Sequence, residues 1–223
     1  MDNCATLFDL DGVIIDTEKE YTRIWDEIRK RYYPHNINLA YDIKGQSLRQ
    51  IFDTYFPDPQ QQEDIRDFLT KSERNLTYHF IAGAKNFVLS LRKRHIPTAL
   101  VTSSSNVKMQ YLYKNHPEMK SWFDTVITAD DITCSKPHPE CYLLAAERLS
   151  ISPQRCIVFE DSMAGMTAGK NAGMYVIGLS TTLPSHTVAK IAHEEIPDFT
   201  AYTYQKLVSG IEKHLKENTT SLL

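Results

Sequence analysis

The sequence has no apolar run of the roughly 20 residues that a membrane-crossing helix needs. It also has no strong charge of one sign. Its 25 Lys and Arg stand against 28 Asp and Glu, a net charge of −3, so nothing draws it broadly to nucleic acid or an anionic membrane. A local basic patch remains compatible with a small anion. Cysteine is sparse: Cys4, Cys134, Cys141 and Cys156, none in a CxxC pair, and none of the eight histidines has metal-ligand spacing. A zinc site therefore has little support. The opening residues carry Asp2, Asp9 and Asp11 and no basic n-region, which argues against a signal peptide and predicts a cytoplasmic protein. Reduced thiols are expected there, and Cys4 and Cys156 lie in apolar runs where a thiol acts as a small hydrophobe. What is present is ordinary globular material, 42% hydrophobic and 24% charged over 223 residues, enough for one large domain or two unequal ones.

Short apolar runs recur, each closing on a polar cluster. CATLF runs into Asp9, IPTALV into Thr102-Ser103-Ser104-Ser105, DTVIT into Ala129-Asp130-Asp131, CIVF into Glu160-Asp161-Ser162, and MYVIGL into Ser180-Thr181-Thr182. Such short Val-, Ile- and Phe-rich runs suit strands buried on both faces. Helical stretches are expected between them, near 84–94, 105–115, 139–149 and 162–172. Alternation of this kind predicts an α/β fold with a doubly wound parallel sheet. Residues 17–81 break the rhythm. Tyr21, Ile24, Trp25, Ile28 and Tyr32 recur at helical spacing, followed by Ile51, Phe52, Tyr55 and Phe56, then Ile65, Phe68 and Leu69. The segment reads as a helical insertion without strands, between a core made of 1–16 and 82–223. Residues 201–223 read as a surface helix with a polar tail.

In open parallel sheets, ligands bind beyond the carboxyl ends of the strands. The residues closing the runs are Asp9, Asp11, Thr102, Ser103, Glu160 and Asp161, with Lys136 ahead of the helix that leads to CIVF. Crowded carboxylates resist joint ionisation unless a counter-charge is supplied. A hard divalent cation supplies it, and Mg²⁺ typically takes one or two carboxylates plus substrate phosphate. A carboxylate can also be the nucleophile, while a second one two residues away handles the proton of the leaving oxygen.

Phe8-Asp9-Leu10-Asp11-Gly12-Val13 resembles the first motif of the haloacid dehalogenase-like superfamily. Val101-Thr102-Ser103, Ser135-Lys136-Pro137 and Phe159-Glu160-Asp161-Ser162 resemble the other three, in order. The strings from Asp9 to Glu18 and from Lys136 to Glu140 are typical of the branch that holds phosphatases and β-phosphoglucomutases, whose small helical cap lies between the first two motifs. The resemblance implies a Rossmann-like core with 17–81 as the cap. It implies Asp9 as nucleophile and Mg²⁺ ligand, and Asp11 as acid/base and metal ligand through its carbonyl. Thr102, Ser103 and Lys136 would hold the phosphoryl group; Asp161 would ligate the metal, and Glu160 would do so directly or from behind. In that branch the loop between cap helices reads the substrate, which makes Lys44 and Arg49 candidates, although solvated surface is an equal reading of them.

The function expected is a Mg²⁺-dependent phosphatase of a small phosphorylated metabolite, with no nucleic-acid or membrane partner and an oligomeric state that the sequence does not encode legibly. One alternative is a sugar-phosphate mutase. Mutase relatives carry a hinge His where this sequence has Tyr21, which favours hydrolysis. Another is a phosphoacceptor receiver module, which is shorter and has no cap. Asp9-Leu10-Asp11-Gly12 is not a calcium loop, because its Gly comes too early. Gly165 to Asn171 is not a P-loop, being one residue short and lacking the final Ser or Thr. His138, between two prolines, reads as exposed loop.

Overall fold

The computed structural model describes residues 4–220. Strand β1 (Ala5–Phe8) is followed by a two-residue strand, β2 (Ile15–Asp16). Four helices come next: α1 (Glu18–Tyr32), α2 (Leu39–Asp42), α3 (Leu48–Tyr55) and α4 (Pro59–Glu73). After β3 (His79–Phe80) the chain alternates through α5 (Ala84–Arg92), β4 (Thr98–Val101), α6 (Asn106–Asn115), β5 (Thr125–Ile127), α7 (Glu140–Arg148) and β6 (Cys156–Glu160). It continues through α8 (Met163–Asn171), β7 (Tyr175–Leu179), α9 (Ser185–Ile191) and β8 (Glu194–Ile196), ending in α10 (Tyr204–Thr220).

Local chemistry starts several of these helices. Ser47, Asp58, Ser105 and Ser162 each turn a side-chain oxygen to a backbone N–H of the first turn of α3, α4, α6 and α8, which satisfies donors that have no partner within the helix. Pro59 opens α4, where its missing N–H costs nothing.

The main sheet is parallel, in the order β5-β4-β1-β6-β7-β8. β1 is therefore flanked on both sides, with Phe8 opposite Leu100 in β4 and Phe159 in β6. The Phe8 and Phe159 rings stack at 4.7 Å, and Phe87 and Phe199 close around them. The helical segment has its own apolar seam: Ile24, Trp25 and Ile28 of α1 are buried, as are Ile51, Phe52, Phe56, Ile65 and Leu69.

The five expected strands and four expected core helices are present to within two residues at their ends. Five elements were not expected. The segment 17–81 is not strand-free, because His79–Phe80 pairs antiparallel with Ile15–Asp16. Two residues carry too little pattern to announce a strand, and this pair gains its order from the neighbouring core. The other additions are the single-turn α2, the short helix α9 and the edge strand β8, whose Glu-Glu-Ile sequence breaks apolar alternation. The terminal helix forms as expected to Thr220, and residues 221–223 of that expectation lie outside the described residues. All four cysteines are free, and Cys134 is exposed. Among the described residues no helix is long and apolar enough to cross a membrane.

Candidate active site

Because β4, β1 and β6 are adjacent, the residues that follow them meet at one end of the sheet. A cavity of about 660 Å³ opens there, between the strand ends and helices α1, α3 and α4. Asp9, Asp11, Thr102, Ser103 and Asp161 line it.

Asp9 follows β1, and its N–H donates to the Phe159 carbonyl at 3.0 Å. Its Oδ1 accepts from Lys136 Nζ at 2.6 Å. The same buried ammonium donates to Glu160 Oε1 at 2.7 Å and to the Val101 carbonyl at 3.3 Å. Burial works against the Lys136 charge, but Asp9 and Glu160 outweigh it and hold its pKa well above the usual lysine value. Asp9 is pushed up to about 7: burial raises it most, Lys136 opposes, and Glu160 and Asp11 add to the rise. Asp161 is raised well above the usual carboxylate range by burial and by the charges of Glu160 and Asp9.

Glu160 is closed off. Tyr142 Oη donates to its Oε1 at 3.0 Å beside Lys136, while the N–H groups of Asp161 and Ser162 and the Ser162 hydroxyl donate to Oε2 at 2.9–3.0 Å. Five donors leave neither oxygen facing the cavity, so the geometry matches a residue behind the ligands and not a direct one. Gly165 makes room for it: a Cβ there would lie 1.6 Å from Glu160 Oε1. Asp161 is different. Thr182 donates its hydroxyl to Oδ2, and the carboxylate lines the cavity. Gly12, at φ +76°, lets β1 turn beneath it, since a Cβ would lie 2.0 Å from Asp161 Oδ2.

Asp11 points to other partners. Both of its oxygens accept from Lys108 Nζ at 2.6 Å, Ser104 Oγ adds 3.1 Å, and Thr17 donates to Oδ1. Thr102 is buried, its Oγ1 accepting from the Ser104 N–H at 3.0 Å. Ser103 Oγ donates to the Gly45 carbonyl at 3.0 Å, and Ser47 and Ser135 share a hydrogen bond, so the turn before α3 touches the strand ends. Lys44 and Arg49 both line the cavity but differ. Lys44 is paired with Glu18 at 2.5 Å, whereas Arg49 is exposed and only 3.9 Å from Asp53. Tyr21 does not merely pack: its phenol donates to Glu73 Oε1 at 2.7 Å.

Sequence reasoning missed Lys108, Ser104, Tyr142 and Thr182. Thr182 closes an apolar run and was detectable on that ground; a lone lysine inside a helix carries no such signal. It also missed that Cys134, His138 and Glu140 bring ligand atoms within 4.8 Å of one another. Glu140 already binds the Thr133 and Cys134 N–H groups, which reads as a cap on the Lys136 loop.

Three buried carboxylates, Asp9, Glu160 and Asp161, thus gather at the ends of β1 and β6, and the ammonium among them, Lys136, pairs with only Asp9 and Glu160. An excess of buried negative charge on oxygen donors fits a hard divalent cation.

The chain is similar to known proteins. A probable pseudouridine-5′-phosphatase of Saccharomyces cerevisiae is 32% identical over 190 residues, covering 78% of this chain and 80% of that protein. A phosphorylated carbohydrates phosphatase of Thermotoga maritima is 27% identical over 177 residues, covering 76% and 82%. A crystal structure of β-phosphoglucomutase from Clostridium difficile superposes with a TM-score of 0.78 at 21% identity, covering 95% of this chain and 98% of that one, and so shares its fold. Residues 6–179 match the haloacid dehalogenase-like hydrolase family, and the chain belongs to that family.

Proposed function

We propose that the protein is a Mg²⁺-dependent phosphatase of a small phosphorylated metabolite, a sugar phosphate or similar, with residues 17–81 acting as a cap on the core. The observation that carries this reading is the charge imbalance around Lys136, set beside a Thr102 hydroxyl at the neighbouring strand end. The phosphatase names of the similar yeast and Thermotoga proteins agree with it.

Asp9 and Asp161 would hold the ion through carboxylates and Asp11 through its carbonyl. Once bound, the ion neutralises phosphate charge and screens the acids from one another. Lys136 keeps one Asp9 oxygen fixed, which directs the other at phosphorus for in-line attack. As the Asp9–phosphorus bond forms, the bond to the leaving oxygen breaks, and Asp11 gives that oxygen a proton. Water then bonds to phosphorus as the Asp9–phosphorus bond breaks, Asp11 takes the water's proton, and inorganic phosphate leaves Asp9 as a free carboxylate. Thr102 and the Ser103 N–H would bind the non-bridging oxygens of the transferring phosphoryl group. Glu160 acts through Lys136, held by Tyr142 and the turn after β6.

Phosphate release from a panel of sugar, polyol and nucleoside monophosphates, with and without Mg²⁺, tests the proposal. Mg²⁺-dependent release is expected from at least one class. A coupled assay for glucose 6-phosphate formed from glucose 1-phosphate runs beside it. Isomerisation outrunning hydrolysis would replace the phosphatase reading with a mutase.

A further inference from the structure

Lys108 belongs to none of the four motifs, yet it is the second buried ammonium at this site, 3% exposed. It sits in the first turns of α6, reaches the cavity, and donates to both Asp11 oxygens at 2.6 Å. Burying an ammonium is costly unless it is paired and bonded. An apolar residue would fill the same space without that cost, so packing alone does not account for a lysine here.

What surrounds the ammonium on its other side comes from the helical segment. The Tyr21 ring of α1 lies 4.2 Å from Nζ, a cation–π distance. The Tyr21 phenol is bonded to Glu73 at the end of α4, and the Lys108 charge acts on that carboxylate as well. Asp11, Ser104, Lys108, Tyr21 and Glu73 all line the one cavity. A continuous polar chain therefore runs from the end of β1, through a core lysine, to two helices of the segment 17–81.

We propose that Lys108 is a positioning residue for the acid/base: its ammonium fixes the direction of the Asp11 carboxyl, and Tyr21 and Glu73 fix Lys108. The inference rests on the phosphatase reading and adds to it a link between the helical segment and the proton step. Two oxygens gripped by one ammonium cannot swing freely, and a misdirected acid/base loses the proton transfer without losing phosphate binding.

The proton step matters unequally across substrates. An alkyl phosphate expels a strongly basic oxygen and needs the Asp11 proton as the phosphorus–oxygen bond breaks. p-Nitrophenyl phosphate expels a stable phenolate and does not. Release of phosphate from Asp9 needs Asp11 for either substrate, because water must give up a proton. Lys108→Met keeps the length of the stem and removes the charge. Expected are an about 30-fold or larger fall in kcat on the best alkyl phosphate, within the range that acid/base catalysis contributes, and a KM within about threefold of wild type. On p-nitrophenyl phosphate the first turnover should stay fast, giving a burst of nitrophenolate equal to the enzyme present and then a slow steady rate. Lys108→Arg should restore part of kcat. Equal losses on both substrates with no burst, or no loss on either, overturn the proposal. Circular dichroism and thermal melting accompany each variant. If Lys108→Met does not fold, Tyr21→Phe and Glu73→Gln, which keep the lysine, must show a weaker form of the same selective loss; their absence of effect also overturns it. A wild-type protein that hydrolyses no phosphomonoester removes the phosphatase reading instead, and the two failures are thereby distinguished.

Discussion

The two walls of the cavity are built on opposite plans. On the sheet side Asp9, Thr102 and Asp161 each stand one residue beyond a buried strand, and the closest partners of the two carboxylates come from the same wall: Lys136 with Asp9 and Glu160, Thr182 with Asp161. Strand spacing sets these positions, and strands packed on both faces have little freedom to shift. On the helical side the polar groups project from amphipathic helices and mostly pair among themselves: Lys44 with Glu18, Tyr21 with Glu73. Their placement depends on how α1, α3 and α4 pack, and rotation of one helix moves every group on it. A rigid wall suits atoms that must meet within tenths of an ångström. A wall of paired, adjustable groups suits discrimination among molecules.

The contrast can be broken most severely at Asp9. Asp9→Asn keeps the shape and most hydrogen bonds, so the fold should persist while steady-state phosphate release falls at least about 10³-fold, the scale seen when a nucleophile is removed. Far-UV circular dichroism beside the assay separates chemistry from folding. Turnover within tenfold of wild type would return the role to another group.

Metal removal comes next. Exhaustive chelation should abolish turnover and Mg²⁺ should restore it. A stability signature accompanies it, and its sign follows from Asp9. A carboxyl raised from 3.8 to about 7 by burial binds a proton in the folded chain that the unfolded chain releases. Metal-free stability therefore falls as pH rises through that window. The ion competes with that proton, so Mg²⁺ should raise the melting temperature more at about pH 8 than at about pH 5. An equal shift at both would place the ion away from Asp9.

Gly165→Ala tests the rigidity of the sheet wall through a residue that touches no substrate. The added Cβ meets Glu160 Oε1 at 1.6 Å, and overpacking of this kind costs about 1–3 kcal/mol. Urea denaturation should show a lower midpoint with turnover falling alongside, because Glu160 shares Lys136 with Asp9. The smallest effect is expected from the opposite wall. Arg49→Ala removes an exposed side chain with a loose 3.9 Å pairing, so stability should change by less than about 0.5 kcal/mol. KM should change for some members of the substrate panel and kcat should hold. A collapse of kcat would give Arg49 a share in the chemistry that the comparison denies it.

The same division explains what was legible in the sequence. Asp9, Thr102 and Asp161 were readable because each follows a buried, mostly apolar strand of four or five residues, and the sheet turns that position into a location. Lys136 was readable only through its neighbours in the family motif. The direct-ligand role of Glu160 was open on sequence, and the donors that occupy its oxygens come from residues 142, 161 and 162, whose convergence no spacing announces. Lys108 was invisible because the partners that give it meaning, Asp11, Tyr21 and Glu73, lie on three other elements. The pairing of Ile15–Asp16 with His79–Phe80 was invisible for a related reason: two residues have no periodicity.

The central place of β1 has a consequence in time as well as in space. Its neighbours on either side are residues 98–100 and 156–159, both made after it. At about 5–20 residues per second, the ribosome reaches the second neighbour roughly 8 to 30 s after Phe8. Both edges of this four-residue strand are bare until residues 98–100 are made, and one edge stays bare to the end of the interval, the condition under which strands pair with the wrong chain. The helices of 18–73 emerge during the wait and can form by local contacts alone. Asp9 is thus among the earliest parts of the site to be synthesised and among the last to acquire its surroundings. The interval between those events is when the nascent chain most needs to be kept from its own copies.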